Sequence, residues 1–546
     1  MGIRFQFVTV LFILLHALPL PAYQIATADP LATQVGANIL DQGGNACDAA
    51  IATALALAVT YPQAGNLGGG GFALVFLPQG PQFIDFREQA PRMSTSTMFL
   101  DREGNPVPGM SLEGGAASGV PGTPAGLEEL HRMCGTLPWS TLVAPAISLA
   151  KDGFPISRGL AEDFRESWPL LSKFEASART FGKDGGPLEE GTLLVQPLLS
   201  QTLTAIRNGG ASAFYSGPIS ASIVKETKRH GGILSLEDLA SYRVILRQPE
   251  HFTFRGYDIY SAPLPSSGGL CLRRILQSME WMAPQAHNQN PEPYWRLFIR
   301  ACQLAYRDRA RFMGDRDFVE VPLDALRDRD RFLDELLSLD PMKAHPWDCF
   351  SDQVIPVESP DTTHLSILDD SGLAVSMTTT LNGTFGSGVM TAGFLLNNEM
   401  DDFSVKPGTP NLYGLVGGRA NAVEPGKRPL SSMSPTIVAT GSRVHYVVGT
   451  PGGSRIITTV AQILLHLLDG GMELSEAIKA PRIHHQGLPD QVELEEGISN
   501  LLEKSMTMAG YRILTGDTWC NAQAVSSDGE AASDPRGYGL ALSRKP

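Results

Sequence analysis

Around residue 361 the texture of this 546-residue chain changes, and the change limits what it can fold into. From about 120 to 345 it is mostly helical in pattern, with breaks at Gly-Gly and Pro pairs. The spacing predicts helices at 124–134, 141–151, 197–208, 218–230 and 293–311. Beyond 361 short strands are expected at 365–368, 373–381, 393–397 and 443–449, then helices at 454–469 and 473–480. Nearer the start, helices are expected at 30–40 and 46–60 and strands at 72–77 and 83–87. A strand pair on either side of the change would lack neighbours. The two parts are therefore expected to pack as one α/β structure and not as independent domains.

The junction itself carries chemistry. Asp361-Thr362-Thr363-His364 follows a segment, 344–361, that has three prolines and reads as an exposed loop. It precedes Leu365 to Leu368, the turn Asp369-Asp370-Ser371-Gly372 and the alternating run Leu373 to Thr379. That is a β-hairpin whose first strand opens on a threonine. A threonine hydroxyl is a poor nucleophile without a neighbouring base, and its own α-amine can be that base. Such an amine exists only if the Asp361–Thr362 bond is cut. A threonine that merely starts a strand is also commonplace, so the other parts of a catalytic site must come from elsewhere in the chain.

The formal net charge of −14 argues against a nucleic-acid partner, since phosphate binding needs a basic footprint. Arg4, the apolar run Phe5 to Leu15 and the breaker Leu18-Pro19-Leu20-Pro21-Ala22 describe a secretory signal peptide, too short to span a bilayer. Cleavage is expected after Ala22, with Ala26-Thr27-Ala28 offering a second exit after Ala28; retention as an anchor is the alternative. A periplasmic or secreted protein follows. Ala49 to Thr60, rich in Ala and Leu, reads as a buried helix by its length. The six cysteines lack zinc-type or C-x-x-C spacing and read as incidental core residues, so no disulfide is assigned. The eleven histidines show no H-x-x-x-H pattern, and no metal site is indicated.

Five further stretches bear on the junction. Thr380 and Asn382 close the second hairpin strand, where an antiparallel neighbour can bring them to residue 362. Asn397-Asn398-Glu399-Met400-Asp401-Asp402-Phe403 groups three carboxylates with two amides, suited to an ammonium group, although a solvated acidic loop has the same composition. Arg87 at a strand end and Ser431-Ser432 on a proline-fixed loop suit a carboxylate. Arg87 could equally pair with Asp85 or Glu88. Thr450-Pro451-Gly452-Gly453-Ser454-Arg455 joins a strand to a helix and can turn backbone N–H groups toward an anion. It lacks the G-K-[ST] of a P-loop, and the chain has no G-x-G-x-x-G or G-x-S-x-G, which leaves an oxyanion hole as the leading functional reading. A substrate with an α-amine, an α-carboxylate and a more distant carbonyl, such as a γ-glutamyl amide, fits all of these parts.

The same residues closely resemble the γ-glutamyltransferases (γ-glutamyltranspeptidase, glutathione hydrolase) of the N-terminal-nucleophile hydrolases. The resemblance runs from about Ala28 to Gly537 and rests on Pro62 to Gly71, Asp85-Phe86-Arg87-Glu88, Pro265-Ser266-Ser267-Gly268-Gly269, Asp361 to His364, Asn397 to Phe403, Arg428 to Thr436 and Pro451 to Arg455. It implies a four-layer αββα sandwich built jointly by a large subunit, 23–361, and a small subunit, 362–546, released from one precursor. It further implies that Thr362 is the nucleophile for processing and turnover, that Thr380 hydrogen-bonds it, and that Gly452 and Gly453 form the oxyanion hole. Arg87, Ser431 and Ser432 would hold the substrate α-carboxylate, and Asn382, Glu399 and Asp402 its α-amine. Tyr413 resembles part of the lid loop that some members carry. Leu365 stands where an aromatic residue is common in the family, and the chain after Arg536 is unusual. The implied reaction transfers γ-glutamyl from glutathione or related amides to water, an amino acid or a peptide, with no cofactor. An acylase for another amide, and a non-catalytic binding protein left uncut, are the rival expectations.

Overall fold

The computed structural model describes residues 22–283, 291–340, 343–344, 362–412 and 414–545. The hairpin at the junction lies at the centre of the architecture. β7 (Thr362–Asp369) and β8 (Ala374–Thr380) pair antiparallel, with Thr362 opposite Thr380, His364 opposite Thr378 and Ser366 opposite Ser376. On the outer side of β7 lies β1 (Tyr23–Thr27), flanked in turn by β13 (Leu540–Arg544). Beyond β8 come β2 (Gly70–Leu77), β3 (Gly80–Asp85) and β4 (Ile245–Arg247), giving a seven-stranded sheet in the order β13-β1-β7-β8-β2-β3-β4. A six-stranded sheet stacks on it. It is built from β5 (Glu250–Phe254), β6 (Tyr257–Ser261), β9 (Thr436–Thr440), β10 (Arg443–Gly449), β11 (Gln523–Ser526) and β12 (Ala531–Ser533), in the order β12-β11-β10-β9-β6-β5.

Side-chain alternation makes the layers. In β2, Ala73 and Val75 join the core under the helices α1 (Pro30–Asp41), α2 (Ala46–Thr60), α3 (Thr123–Cys134) and α4 (Trp139–Asp152). Phe72, Leu74 and Phe76 point the other way, into the core shared with the second sheet and the helices α5 (Gly268–Met282), α6 (Pro291–Phe312) and α7 (Arg455–Leu468). The result is the expected αββα sandwich. All fifteen residues of α2 are buried, so this helix is apolar on every side, and Asn45 and Asp48 close its N-terminus with a capping box. Among the described residues no helix is long and apolar enough to cross a membrane.

Most expected elements fall within a few residues of their spans, but four expectations need correction. The strand placed at 83–87 ends at Asp85, and the one at 393–397 shrinks to Phe394–Leu395. Tyr23–Thr27 forms an inner strand of the first sheet, a position that a cut after Ala28 would empty. Residues 1–21, which hold the expected signal segment, lie outside the described residues.

The fourth correction is a disulfide. Cys47 on α2 and Cys134 at the end of α3 are bonded, with their Cα atoms 6.0 Å apart. Nothing in the sequence spacing marks this pair; it forms because α3 packs against α2. Their separation is 87 positions, and closing a loop of that size in the unfolded chain stabilises the fold by about 4.6 kcal/mol in the chain-entropy model, with measured values typically about 2–4. Cys134→Ser is therefore expected to lower unfolding free energy by that order in denaturant titrations. Adding a reductant should bring the parent chain down to the variant's level, and a difference that survives reduction would assign the loss to packing instead.

Candidate active site

The glycine run 68–71 explains how the hairpin is received. A Cβ at Gly69 would lie 2.0 Å from the Thr380 carbonyl oxygen, and one at Gly71 2.2 Å from that of Thr378. Only glycine lets β2 approach β8 this closely. Asn66, just before the run, donates through Nδ2 to the Thr380 carbonyl at 2.9 Å, and its Oδ1 accepts from the Gly69 amide and the Thr123 hydroxyl. The end of β8 is thereby fixed. Thr380 Oγ1 then lies 3.5 Å from Thr362 Oγ1, and both residues are buried. The Asn382 amide donates to Thr380 Oγ1 at 2.8 Å, orienting that hydroxyl.

One cavity brings together Thr362, Thr380, Asn382, Arg87, Glu399, Asp402, Ser431, Ser432 and Gly453, with Leu415, Met433 and Ile456 as its apolar wall. Residues expected to act on one substrate thus come from six separate stretches of sequence. Arg87 pairs with neither Asp85 nor Glu88 at close range. Its Nη1 lies 2.5 Å from Glu399 Oε1 and its Nη2 2.5 Å from Asp402 Oδ2, while Glu88 is 3.8 Å away. Asp85 turns instead to Arg247, at 2.7 Å, and to Arg428. Burial raises the carboxyls of Glu88, to about 7, and of Glu399 well above the usual range, against the opposing pull of Arg87. Burial thus holds Glu88 and Glu399 toward their neutral forms around one guanidinium, and an incoming ammonium would favour their ionised forms. Asp401, third in the acidic stretch, has a structural role: it accepts from the Ser111 hydroxyl at 2.6 Å and the Leu412 amide at 2.7 Å.

The serine loop is held from behind. Ser267 Oγ donates to the Ser431 carbonyl at 2.8 Å, and Ser431 Oγ accepts from the Met433 amide at 3.1 Å. On the far side, Pro451-Gly452-Gly453-Ser454 delivers α7, with Gly452 at φ 129° and Gly453 at φ 54°. These are backbone conformations that favour glycine and turn successive N–H groups. Gly452 lies directly over Cys520 and does not itself line the cavity. Tyr413 lies outside the described residues; its neighbours Asn411 and Leu415 contribute, through a 3.0 Å bond from Asn411 Nδ2 to Asp402 Oδ1 and as part of the apolar wall.

Sequence reasoning missed the supports. Asn66 and Ser267 sit inside the motifs that carry the family resemblance, and only the packing shows what each one fixes. It also missed the polar ladder below the nucleophile. His364 bonds Thr378 Oγ1 at 2.8 Å and Ser366 Oγ at 3.1 Å. Burial holds this imidazole down at about 3, so it is neutral near pH 7 and carries no charge toward Thr362. In the unfolded chain it titrates near 6.5, so its contribution to stability is lost as pH falls from about 6.5 toward 3, by up to about 1.4 kcal/mol per pH unit. Glu88, raised by burial, works in the opposite sense. The test is therefore a comparison: the stability difference between the parent chain and His364→Gln should shrink on going from about pH 7 to about pH 5. A pH-independent difference would mean that His364 titrates alike in the folded and unfolded chain, and a difference that grows toward pH 5 would mean that it is charged in the fold.

Comparison with known proteins gives a consistent picture. The sequence profile described as gamma-glutamyltranspeptidase matches residues 32–543. The chain is 45% identical over 521 residues to a glutathione hydrolase proenzyme of Escherichia coli, covering 94% of this chain and 90% of the relative. A solved γ-glutamyltranspeptidase of Helicobacter pylori is 42% identical with a TM-score of 0.57, over 58% of this chain and 92% of that one. A cephalosporin acylase of Bacillus halodurans superposes over 96% of both chains with a TM-score of 0.85, but at 24% identity it speaks to the fold alone.

Proposed function

The chain belongs to the γ-glutamyltranspeptidase family, and from that premise we propose that it cuts its own Asp361–Thr362 bond and then carries a γ-glutamyl group on the Thr362 hydroxyl. The observation that carries this reading is that Thr362, at the head of β7, shares one cavity with Thr380, the Arg87–Glu399–Asp402 cluster, Ser431, Ser432 and Gly453. The enzyme is a γ-glutamyl transferase/hydrolase, formed as a proenzyme.

In processing, Thr362 Oγ1 attacks the Asp361 carbonyl carbon, the peptide nitrogen leaves, and water hydrolyses the resulting ester. Asp361 then ends one subunit and Thr362 begins the other with a free α-amine. In turnover that amine, with an ordinary pKa near 8, takes the hydroxyl proton as Oγ1 attacks the γ-carbonyl. The oxyanion is met by the N–H groups of Gly452 and Gly453, and the amine returns the proton to the departing nitrogen. Water then releases glutamate, or an acceptor amine takes the γ-glutamyl group. Glutathione and related amides are the donors, with amino acids or peptides as acceptors. Nucleophile, base and oxyanion donors are all groups of the protein. The substrate α-carboxylate goes to Arg87, Ser431 and Ser432, and its α-amine to Asn382, Glu399 and Asp402. The residues from Tyr23 onward form the mature protein, since β1 is needed in the sheet, and export to the periplasm or medium follows from the segment before it.

The test is direct. Purified protein is expected to run as two bands on a denaturing gel, with Thr362 as the N-terminus of the smaller one, and to release p-nitroaniline from γ-glutamyl-p-nitroanilide. A single intact band without turnover would sink the reading.

A further inference from the structure

We propose that Arg309 is a second counter-charge for the substrate's α-carboxylate beside Arg87, acting through Ser432 as a positioning residue; the proposal rests on the γ-glutamyl reading above. Arg309 lies on α6 and is only 4% exposed. A buried guanidinium is costly unless paired, and its neighbours on this helix obey that rule: Arg307 pairs with Glu335 at 2.9 Å, and Asp308 with Arg274 and Arg331. Arg309 is different. Among the described residues it forms no ion pair; it donates through Nε to Ser267 Oγ at 3.0 Å and through Nη2 to Ser432 Oγ at 3.4 Å.

Arg87, the arginine that sequence reasoning singled out, has both terminal nitrogens taken by Glu399 and Asp402. The site is therefore polarised. The acidic groups Glu399 and Asp402 lie on one side, already shared with Arg87, and a positive charge with no ion-pair partner among the described residues lies behind the serines. An α-amino acid presents an ammonium and a carboxylate on one carbon, which matches that polarity. The hydroxyl wiring points the same way. Ser432 Oγ accepts from Arg309, and Ser431 Oγ accepts from the Met433 amide, so each serine keeps its own O–H to donate to an anion. A charged donor behind Ser432 polarises that O–H and strengthens it toward a carboxylate. Ser267, clamped between Arg309 Nε and the Ser431 carbonyl, holds the guanidinium in place.

The experiment compares two donors in the processed enzyme, γ-glutamyl-p-nitroanilide and 4-aminobutanoyl-p-nitroanilide, which lacks only the α-carboxylate. Arg309→Met is expected to lower kcat/KM on the γ-glutamyl donor by about ten- to a hundredfold, mainly through KM. On the decarboxylated donor it should lose less than about threefold, because that donor never used the charge. Arg309→Lys, keeping the charge without the fork, should recover part of the discrimination. Equal losses on both donors, or none on either, would overturn the proposal. Appearance of the two bands on a gel reports folding, and if Arg309→Met is not processed the donor ratio is read on Arg309→Lys. Failure of the parent enzyme to turn over γ-glutamyl-p-nitroanilide would strike the functional reading itself, whereas turnover with an unchanged donor ratio in the variants removes only Arg309.

Discussion

Thr362→Ala is expected to leave the chain in one piece and to reduce turnover on the order of a millionfold, the scale seen when a catalytic nucleophile is deleted. Both losses have one cause, because the same oxygen attacks the Asp361 carbonyl and, later, the γ-glutamyl carbonyl. Thr380 cannot take over. Its hydroxyl is only 3.5 Å away, but it accepts from the Asn382 amide and sits within the chain, with no α-amine to act as base. The fold should survive, since the change removes a few atoms at a strand end while the ladder from Thr363 opposite Thr379 onward is untouched. Thr362→Ser, which keeps the oxygen, should retain slower processing and slower turnover. A gel, N-terminal sequencing and p-nitroaniline release read all three proteins. Rapid cutting of Thr362→Ala would place the scissile bond elsewhere.

Gly452→Ala should cost about a hundred- to a thousandfold in kcat with little change in KM, the signature of a lost oxyanion donor. Two independent obstacles act at this position. The backbone holds φ 129°, where side-chain-bearing residues are strained, and a Cβ would fall 2.2 Å from Cys520 Sγ. Cys520 has little room to yield: it is buried, holds φ 62° itself, and accepts from the Thr459 hydroxyl at 3.3 Å. The loop must therefore move, and with it the N–H groups. Adding Cys520→Ala removes the clash but not the backbone strain, so the double variant is expected to recover only part of kcat. Full recovery would make the steric contact the whole effect, and unchanged kcat in the single variant would show that this turn is not the oxyanion site.

The hairpin was legible because its period-2 pattern and its turn residues are local, and a pattern of that kind needs no knowledge of neighbours. That Thr362, the acidic stretch, the serine pair and the glycine turn belong together was legible for a related reason, since each is a short motif marked by residue type, and one cavity gathers them. What could not be read was company. Tyr23–Thr27 has the composition of a signal exit and also of a buried strand, and only β7 and β13 on either side decide between them. The Cys47–Cys134 bond depends on how two helices pack. Arg87 was expected to wait for a carboxylate, yet in the free site it is closed on the two residues expected to hold the amine. Arg309 lay unmarked in a long amphipathic helix, where an arginine ordinarily means a solvated face.

The strand order has a consequence for the life history of the molecule. In the first sheet β7, β8 and β13 follow residue 361, while β1, β2, β3 and β4 precede it; in the second, four strands follow it and two precede it. The ladders β1–β7 and β8–β2 therefore become contacts between separate polypeptides at the moment of cutting. Before the cut, refolding is a search by one chain; afterwards it is an encounter between two, each carrying half of an interleaved sheet and dependent on concentration. Maturation is expected to work as a ratchet: the precursor can unfold and return, whereas the mature enzyme persists through slow unfolding and, once opened, does not come back.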